Sequence, residues 1–238
     1  MHPYEISVLG EDFLFFSLTS ESEADAALKF SKRSAILLPS LNADFRIAGY
    51  YEKGKPLCDY YSAALCAAVH LVKKRGLPLS DITFETPNGN LEILCTGDGI
   101  FTVSVDKCKL LLSNSIPLAG CMLDIKDVFS KSVFRVVRVG DVLRFDKKML
   151  PRIASSQLPM PCSVVLFSSD GRRICVRSYA DYNPAPPSSI LINAAAAYSE
   201  YLDFGAGCVK SVLHLDDSSF CRVSYSCVEV SVKPTFLT

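Results

Sequence analysis

The chain has 238 residues, enough for one large domain or two small ones with a substantial core. Hydrophobic residues make up 49% and charged residues 21%, and Lys+Arg and Asp+Glu number 25 each, so the formal net charge is zero. That balance excludes a basic field able to hold nucleic acid or an anionic membrane by charge alone. The longest nearly apolar run, Ser62–Val72 with His70 inside it, is too short to span a bilayer.

In chain order, Met1 to Leu9 lack a basic start followed by an apolar stretch, so no secretory signal is expected and the chain is expected in the cytoplasm. Residues 20–45 pattern weakly, and Ser22 to Arg33 reads as a helix. Tyr60 to Arg75 carries Ala64, Ala67, Ala68, Leu71 and Val72 at helical spacing, and Gly76 with Pro78 just beyond supplies a stop signal. Three strands follow, Ile82–Thr86, Leu91–Cys95 and Ile100–Val105, joined by turns at Asn88-Gly89 and Asp98-Gly99. A junction between two halves is expected near 113–118, where Ser113-Asn114-Ser115 meets Pro117.

In the second half, Val133 to Phe145 and Val164 to Tyr179 read as strands, the latter folded at an Asp170-Gly171 turn. Ser188 or Ser189 then caps an Ala-rich helix ending at Leu202, with Gly205 and Gly207 beyond it. Strands over Val212–Leu215, Phe220–Tyr225 and Val228–Val232 close the chain. Helix, turn and hairpin thus occur twice. Helices of small residues, nearly apolar all round, are normally buried. The expected fold is therefore α+β: two lobes, 1–115 and 116–238, each a curled, mostly antiparallel sheet around an Ala-rich helix, with the last strands free to return to the first lobe.

Ten cysteines are present, with no C-x-x-C pair and no zinc spacing with His2, His70 or His214. They read as reduced thiols serving as small buried apolar groups. No metal or cofactor is expected.

Leu9-Gly10-Glu11-Asp12-Phe13 resembles an L-G-N-D-F motif, and Arg46-Ile47 precedes Cys58, which stands twelve residues after the arginine. The hairpin from Phe84 to Glu92 fits the same series. This ordered series is similar to the diaminopimelate epimerase family. The resemblance implies two pseudo-symmetric lobes, helix N-termini facing a cleft between them, and cofactor-independent racemisation by two cysteines on opposite faces of an α-carbon. Cys58 matches the first cysteine, but Asp59-Tyr60-Tyr61 replaces the G-N-G that should follow it. Ile190 falls where the second cysteine should be, and Asp181-Tyr182 replaces the acidic-basic pair upstream. The substrate-binding asparagines align with Glu11, Tyr60, Asp141 and Ser163.

The candidate site is therefore Cys58 as a catalytic residue, insufficient alone, with Glu11, Asp59, Tyr60, Asp141, Ser163, Asp181 and Asn193 as ligand-binding residues. Each has a plainer reading. Asp59 reads as a helix cap; Glu11, Asp141 and Asp181 read as solvated charges; Tyr60 and Tyr61 read as plugs of a former pocket. Taken together, the acids predict a cleft that prefers a cation or holds nothing, unless Arg or Lys pairs with them. Three function classes follow: a non-catalytic binding, regulatory or subunit protein; an isomerase using one carboxylate, drawn from Glu11, Asp59 or Asp181; and an amino-acid epimerase whose second base lies elsewhere. The expected partners are a small molecule in the cleft and, as an open alternative, a second copy of the chain.

Overall fold

The computed structural model describes residues 4–9, 11–19, 33–52, 55–57, 59–78, 80–106, 108–118, 120–156, 162–170, 173–179, 187–205, 209–214, 217–224 and 226–234. The chain divides into two compact units, Met1–Ser104 with Ser231–Thr238, and Val105–Val230.

In the first unit, β1 (Tyr4–Val8), β2 (Glu11–Ser17), β3 (Arg33–Pro39) and β4 (Phe45–Glu52) are followed by a two-residue strand, β5 (Lys55–Pro56), that pairs with β4. Helix α1 (Tyr61–Arg75) crosses over to β6 (Ile82–Thr86), β7 (Gly89–Cys95) and β8 (Phe101–Asp106). The spatial order is β1-β2-β3-β4-β6-β7-β8. Pairs β2–β3 and β4–β6 are parallel, and β1–β2, β3–β4, β6–β7 and β7–β8 are antiparallel. Every residue of α1 from Tyr61 to Val72 is buried. Alanines at 63, 64, 67 and 68 keep that cylinder thin, so the sheet can approach it closely all round. Gly76 ends the helix in the left-handed region at φ 68°, its N–H donating to the Leu71 carbonyl. Phe13 and Phe15 point to the helix side, where the Phe15 ring stacks on His70 with centroids 6.2 Å apart, and Tyr4 lies 4.5 Å from the same imidazole. His70 is thus a core residue packed between aromatic rings. The opposite face carries a second cluster of Leu14, Phe16, Leu18, Ile36 and Leu38, as strand alternation requires.

The second unit adds β9 (Lys109–Leu118) and β10 (Cys121–Ser130), then β11 (Ser132–Arg138), a short helix α2 (Leu150–Ala154), β12 (Ser163–Ser169) and β13 (Arg173–Tyr179). Helix α3 (Ser189–Phe204) leads to β14 (Val209–His214), β15 (Asp217–Val223) and β16 (Cys227–Val232). The order is β16-β15-β14-β13-β12-β11-β10-β9, with β11–β12 and β13–β14 parallel. From β10 onward the succession of parallel and antiparallel pairs follows that of β1 to β7, each crossover helix lying between the strands of a parallel pair. Strand β9 is the addition. Ile190, Ala194, Ala195 and Ala196 of α3 are fully buried. The other face of this sheet has its own core, in which Leu118, Ile125, Val137, Val164 and Leu166 pack with Leu150 and Ile153 of α2.

Residues 113–118 form part of strand β9, and the two compact units divide at Ser104/Val105, inside β8. Three expectations change. The strand expected to run from Val133 to Phe145 stops at Arg138. Val139 and Val142 are buried loop residues of the α2 core, so their apolar character reports burial rather than a pleat. Arg33 begins β3, whereas a helix was expected to reach it, and the rest of that helix, Ser22–Lys32, lies outside the described residues. Finally, Cys66, Cys95, Cys108, Cys162 and Cys221 are buried, but Cys121 and Cys175 are exposed, with all of these free thiols. No helix among the described residues is long and apolar enough to cross a membrane.

Candidate functional site

At the start of α1, Tyr60 occupies the N-cap position without a side-chain cap bond of its own. The neighbouring Asp59 supplies one: its Oδ1 accepts the Tyr61 N–H at 3.1 Å. A carboxylate here meets both a free backbone donor and the positive end of the helix dipole. Tyr60 and Tyr61 are buried against the helix start. Cys58 lies outside the described residues, as do Gly10 and Asp181.

Helix α3 begins differently. Ser188 is in extended conformation and its Oγ accepts the Leu191 N–H at 3.3 Å. Ser189, Ile190, Leu191 and Ile192 of the first turn are all buried, and the turn contains no acidic residue. Asn193 is fully enclosed, its Nδ2 donating to Ser219 Oγ at 3.1 Å. Ser163 opens β12, fully buried, opposite Phe134 and on the sheet face away from Val164 and Leu166.

The acidic candidates do not form a set of unopposed charges. Glu11 begins β2, Arg33 begins β3 beside it, and Glu52 ends β4. These strand ends place the Arg33 guanidinium 2.6 Å from Glu11 Oε1 and 3.2 Å from Glu52 Oε1. Arg33 was not singled out in the sequence, because only strand pairing brings residues so distant in the chain to one point. Asp141 is an exposed loop residue; it accepts the Leu143 N–H at 2.8 Å and lies 3.4 Å from Arg144 Nε. Guanidinium groups thus stand beside Glu11 and Asp141, the circumstance under which the expected preference for a cation weakens. Glu11, Asp59 and Tyr60 belong to the first unit, and Asp141, Ser163 and Asn193 to the second.

Burial favours the protonated form of several thiols. Burial is the main reason that the Cys66 thiol on α1 is pushed well above its ordinary value, with Glu11 adding to it. Burial likewise pushes Cys108 up to about 11 and Cys221 up to about 12. At pH 8 about one Cys221 in ten thousand is then thiolate, the form that reacts. Folded protein at pH 8 is expected to titrate quickly with a thiol reagent at Cys121 and Cys175, and at Cys66, Cys108 and Cys221 only after denaturation. Because the folded state holds these protons more tightly than the unfolded chain, whose thiols titrate near 9.0, the linked stability is intact below pH 9 and falls as pH rises toward 12. Urea midpoints across that range measure it.

Among the described residues no group of three or more His, Cys, Asp or Glu side chains is placed to hold a metal. No family model matches the chain, and no curated protein matches it. Solved structures do. A putative phenazine biosynthesis PhzC/PhzF protein from Clostridium difficile is 14% identical, with a TM-score of 0.68 and coverage of 99% of this chain and 95% of that one. A probable proline racemase from Agrobacterium radiobacter, with bound carbonate, is 11% identical with a TM-score of 0.65, covering 99% and 93%. A predicted epimerase from Pseudomonas aeruginosa is 15% identical with a TM-score of 0.64, covering 99% of both chains. The chain has the architecture of the two-lobed isomerases and epimerases. Its fold is the pseudo-symmetric, diaminopimelate epimerase-like one that the residues from Leu9 to Glu92 resembled.

Proposed function

We propose that this protein is an epimerase-fold binding or regulatory protein that does not racemise amino acids by a two-base mechanism. The first turn of α3 supports this reading. Two-base inversion needs a proton donor and an acceptor on opposite faces of one carbon, and the second helix start is where the resemblance puts the second of them. That turn offers serine, isoleucine, leucine and isoleucine, all buried. None has a proton-transfer capacity suited to a weak carbon acid. Both helix starts are also closed by the chain's own side chains, Asp59 on α1 and Ser188 on α3. Each already uses a donor that an open helix N-terminus would offer a substrate carboxylate. Chiral chromatography of L-proline, trans-4-hydroxy-L-proline and LL-diaminopimelate after long incubation is expected to show inversion no faster than in buffer. Enzyme-dependent inversion of any of them would overturn the proposal.

A second reading, a proton-shifting isomerase with one carboxylate, draws on Glu11. It is a nearly buried carboxylate oriented by Arg33, the kind of fixed base such chemistry uses. An activity lost in Glu11→Gln with the fold intact would favour that reading over the first.

A further inference from the structure

We propose that the α2 face of the second unit docks on an anionic membrane surface, with Leu143 as its apolar anchor. The chain carries no net formal charge, but its charges are unevenly placed. Val128–Tyr179 holds ten Lys and Arg against three Asp and no Glu, whereas the whole chain has 25 of each class. Six of the ten, Arg144, Lys147, Lys148, Arg152, Arg173 and Arg177, belong to one face. Leu150 and Ile153 of α2 pack onto the sheet, which leaves Lys147, Lys148 and Arg152 exposed around them. On β13, Tyr179 pairs with Val164 and Arg177 with Leu166, both members of the α2 core. Tyr179, Arg177 and Arg173 alternate along that strand, so they share the α2 side of the sheet. Lys147 Nζ lies 5.9 Å above the Tyr179 ring and joins the two groups.

The three acids of the span do little to cancel this field. Each accepts a backbone N–H in its own turn: Asp141 from Leu143 at 2.8 Å, Asp146 from Lys148 at 3.0 Å and Asp170 from Arg173 at 2.7 Å. Among the described residues, Arg144 alone of the six basic groups has an ion-pair partner. That partner is Asp141 at 3.4 Å, and with the two side chains 89% and 48% exposed the contact is weak. The surplus of positive charge complements any polyanion, and Leu143 decides which one. It is 76% exposed beside Arg144, while Val142 before it is buried, so an apolar side chain is held in water among cations. Such a residue gains nothing from a phosphate backbone, but it can enter the boundary between lipid headgroups and acyl chains. The aromatic rings of this face, Phe145 and Tyr179, are partly buried against the α2 core, so no platform for stacking bases is offered. The charge balance that excludes binding by charge alone leaves room for a local field with an apolar anchor.

The full chain is expected to co-sediment with mixed phosphatidylserine–phosphatidylcholine vesicles and not with phosphatidylcholine alone, and recovery should fall as salt is raised. Arg144→Gln combined with Lys148→Gln is expected to weaken binding about 25-fold, since each charge at such a surface is worth about fivefold. Leu143→Ser is expected to weaken it about tenfold and to leave the salt dependence as it was. Leu41→Ser, at a fully exposed leucine of the first unit, serves as the control and should bind like the unaltered protein. The chain contains no Trp, so Leu143→Trp places a single reporter at the anchor. Its emission should shift to the blue with the phosphatidylserine vesicles, and far-ultraviolet spectra check that every variant is folded. No recovery on those vesicles, an Arg144→Gln/Lys148→Gln or Leu143→Ser protein that binds as well as the control, or an unmoved tryptophan emission would each overturn the proposal. Tighter binding of a single-stranded oligonucleotide than of the vesicles would also overturn it and assign the basic face to nucleic acid.

Discussion

Replacing Asp127 by alanine is expected to destabilise the protein by about 3–5 kcal/mol. Arg135, only 1% exposed, sits opposite Asp127 on neighbouring strands β11 and β10. Its Nε and Nη2 reach the two carboxylate oxygens at 2.8 and 2.9 Å. The remaining nitrogen, Nη1, donates to the carbonyls of Ile153 and Ala154 at the end of α2, so one side chain ties that helix to the sheet. Without the carboxylate, a cation remains in a site that water does not reach. Replacing both residues by apolar ones, Asp127→Leu with Arg135→Met, removes the charge as well as its partner. The cost should then shrink to the loss of donors at the helix end, about 1–3 kcal/mol. Urea unfolding of the two single variants and the double variant measures the coupling. A cost below about 1 kcal/mol for Asp127→Ala would show that the pair is solvated.

Phe16→Ala is expected to cost a similar amount, about 3–5 kcal/mol. Phe16 lies on the β2 face opposite α1, 1% exposed, in the cluster with Leu14, Leu18, Ile36 and Leu38. Its neighbours Phe13 and Phe15 face the helix, so the substitution probes only the outer layer. If the layer is packed as tightly as the helix side, the cavity cannot collapse and the full penalty appears. A loss below about 1.5 kcal/mol would mean that the surrounding leucines close over the gap or that solvent already enters. The comparison with Phe13→Ala, read in the same urea series, separates the two layers.

The sequence made the two crossover helices legible because their alanines recur at helical spacing and glycines stand at their ends. Helix α1 runs Tyr61–Arg75 and α3 runs Ser189–Phe204, each within two residues of its expected limits. The hairpins after α1 were legible through their Asn-Gly and Asp-Gly turns. Strand β9 was not. A strand exposed on both faces has no alternation of polar and apolar residues, and Ser113-Asn114-Ser115 next to Pro117 reads as a linker. The short helix α2 was missed for a related reason: five residues are too few to establish a period. At the site, the missing second cysteine, the lost glycines and the capping role of Asp59 could be read locally. The pairing of Glu11 with Arg33 could not, because it exists only once β2 and β3 lie side by side in parallel register.

Two-base racemisation leaves a mark that no binding protein makes: each inverted molecule acquires a solvent hydrogen at its α-carbon. The most direct test is therefore incubation of the protein in deuterated water with proline, 4-hydroxyproline and diaminopimelate, followed by mass spectrometry of the recovered amino acids. Deuterium at the α-carbon is expected to stay at the level of a protein-free control. Uptake that exceeds the control, accompanies inversion and disappears in Cys58→Ala would contradict the account and restore this chain to the catalytic epimerases.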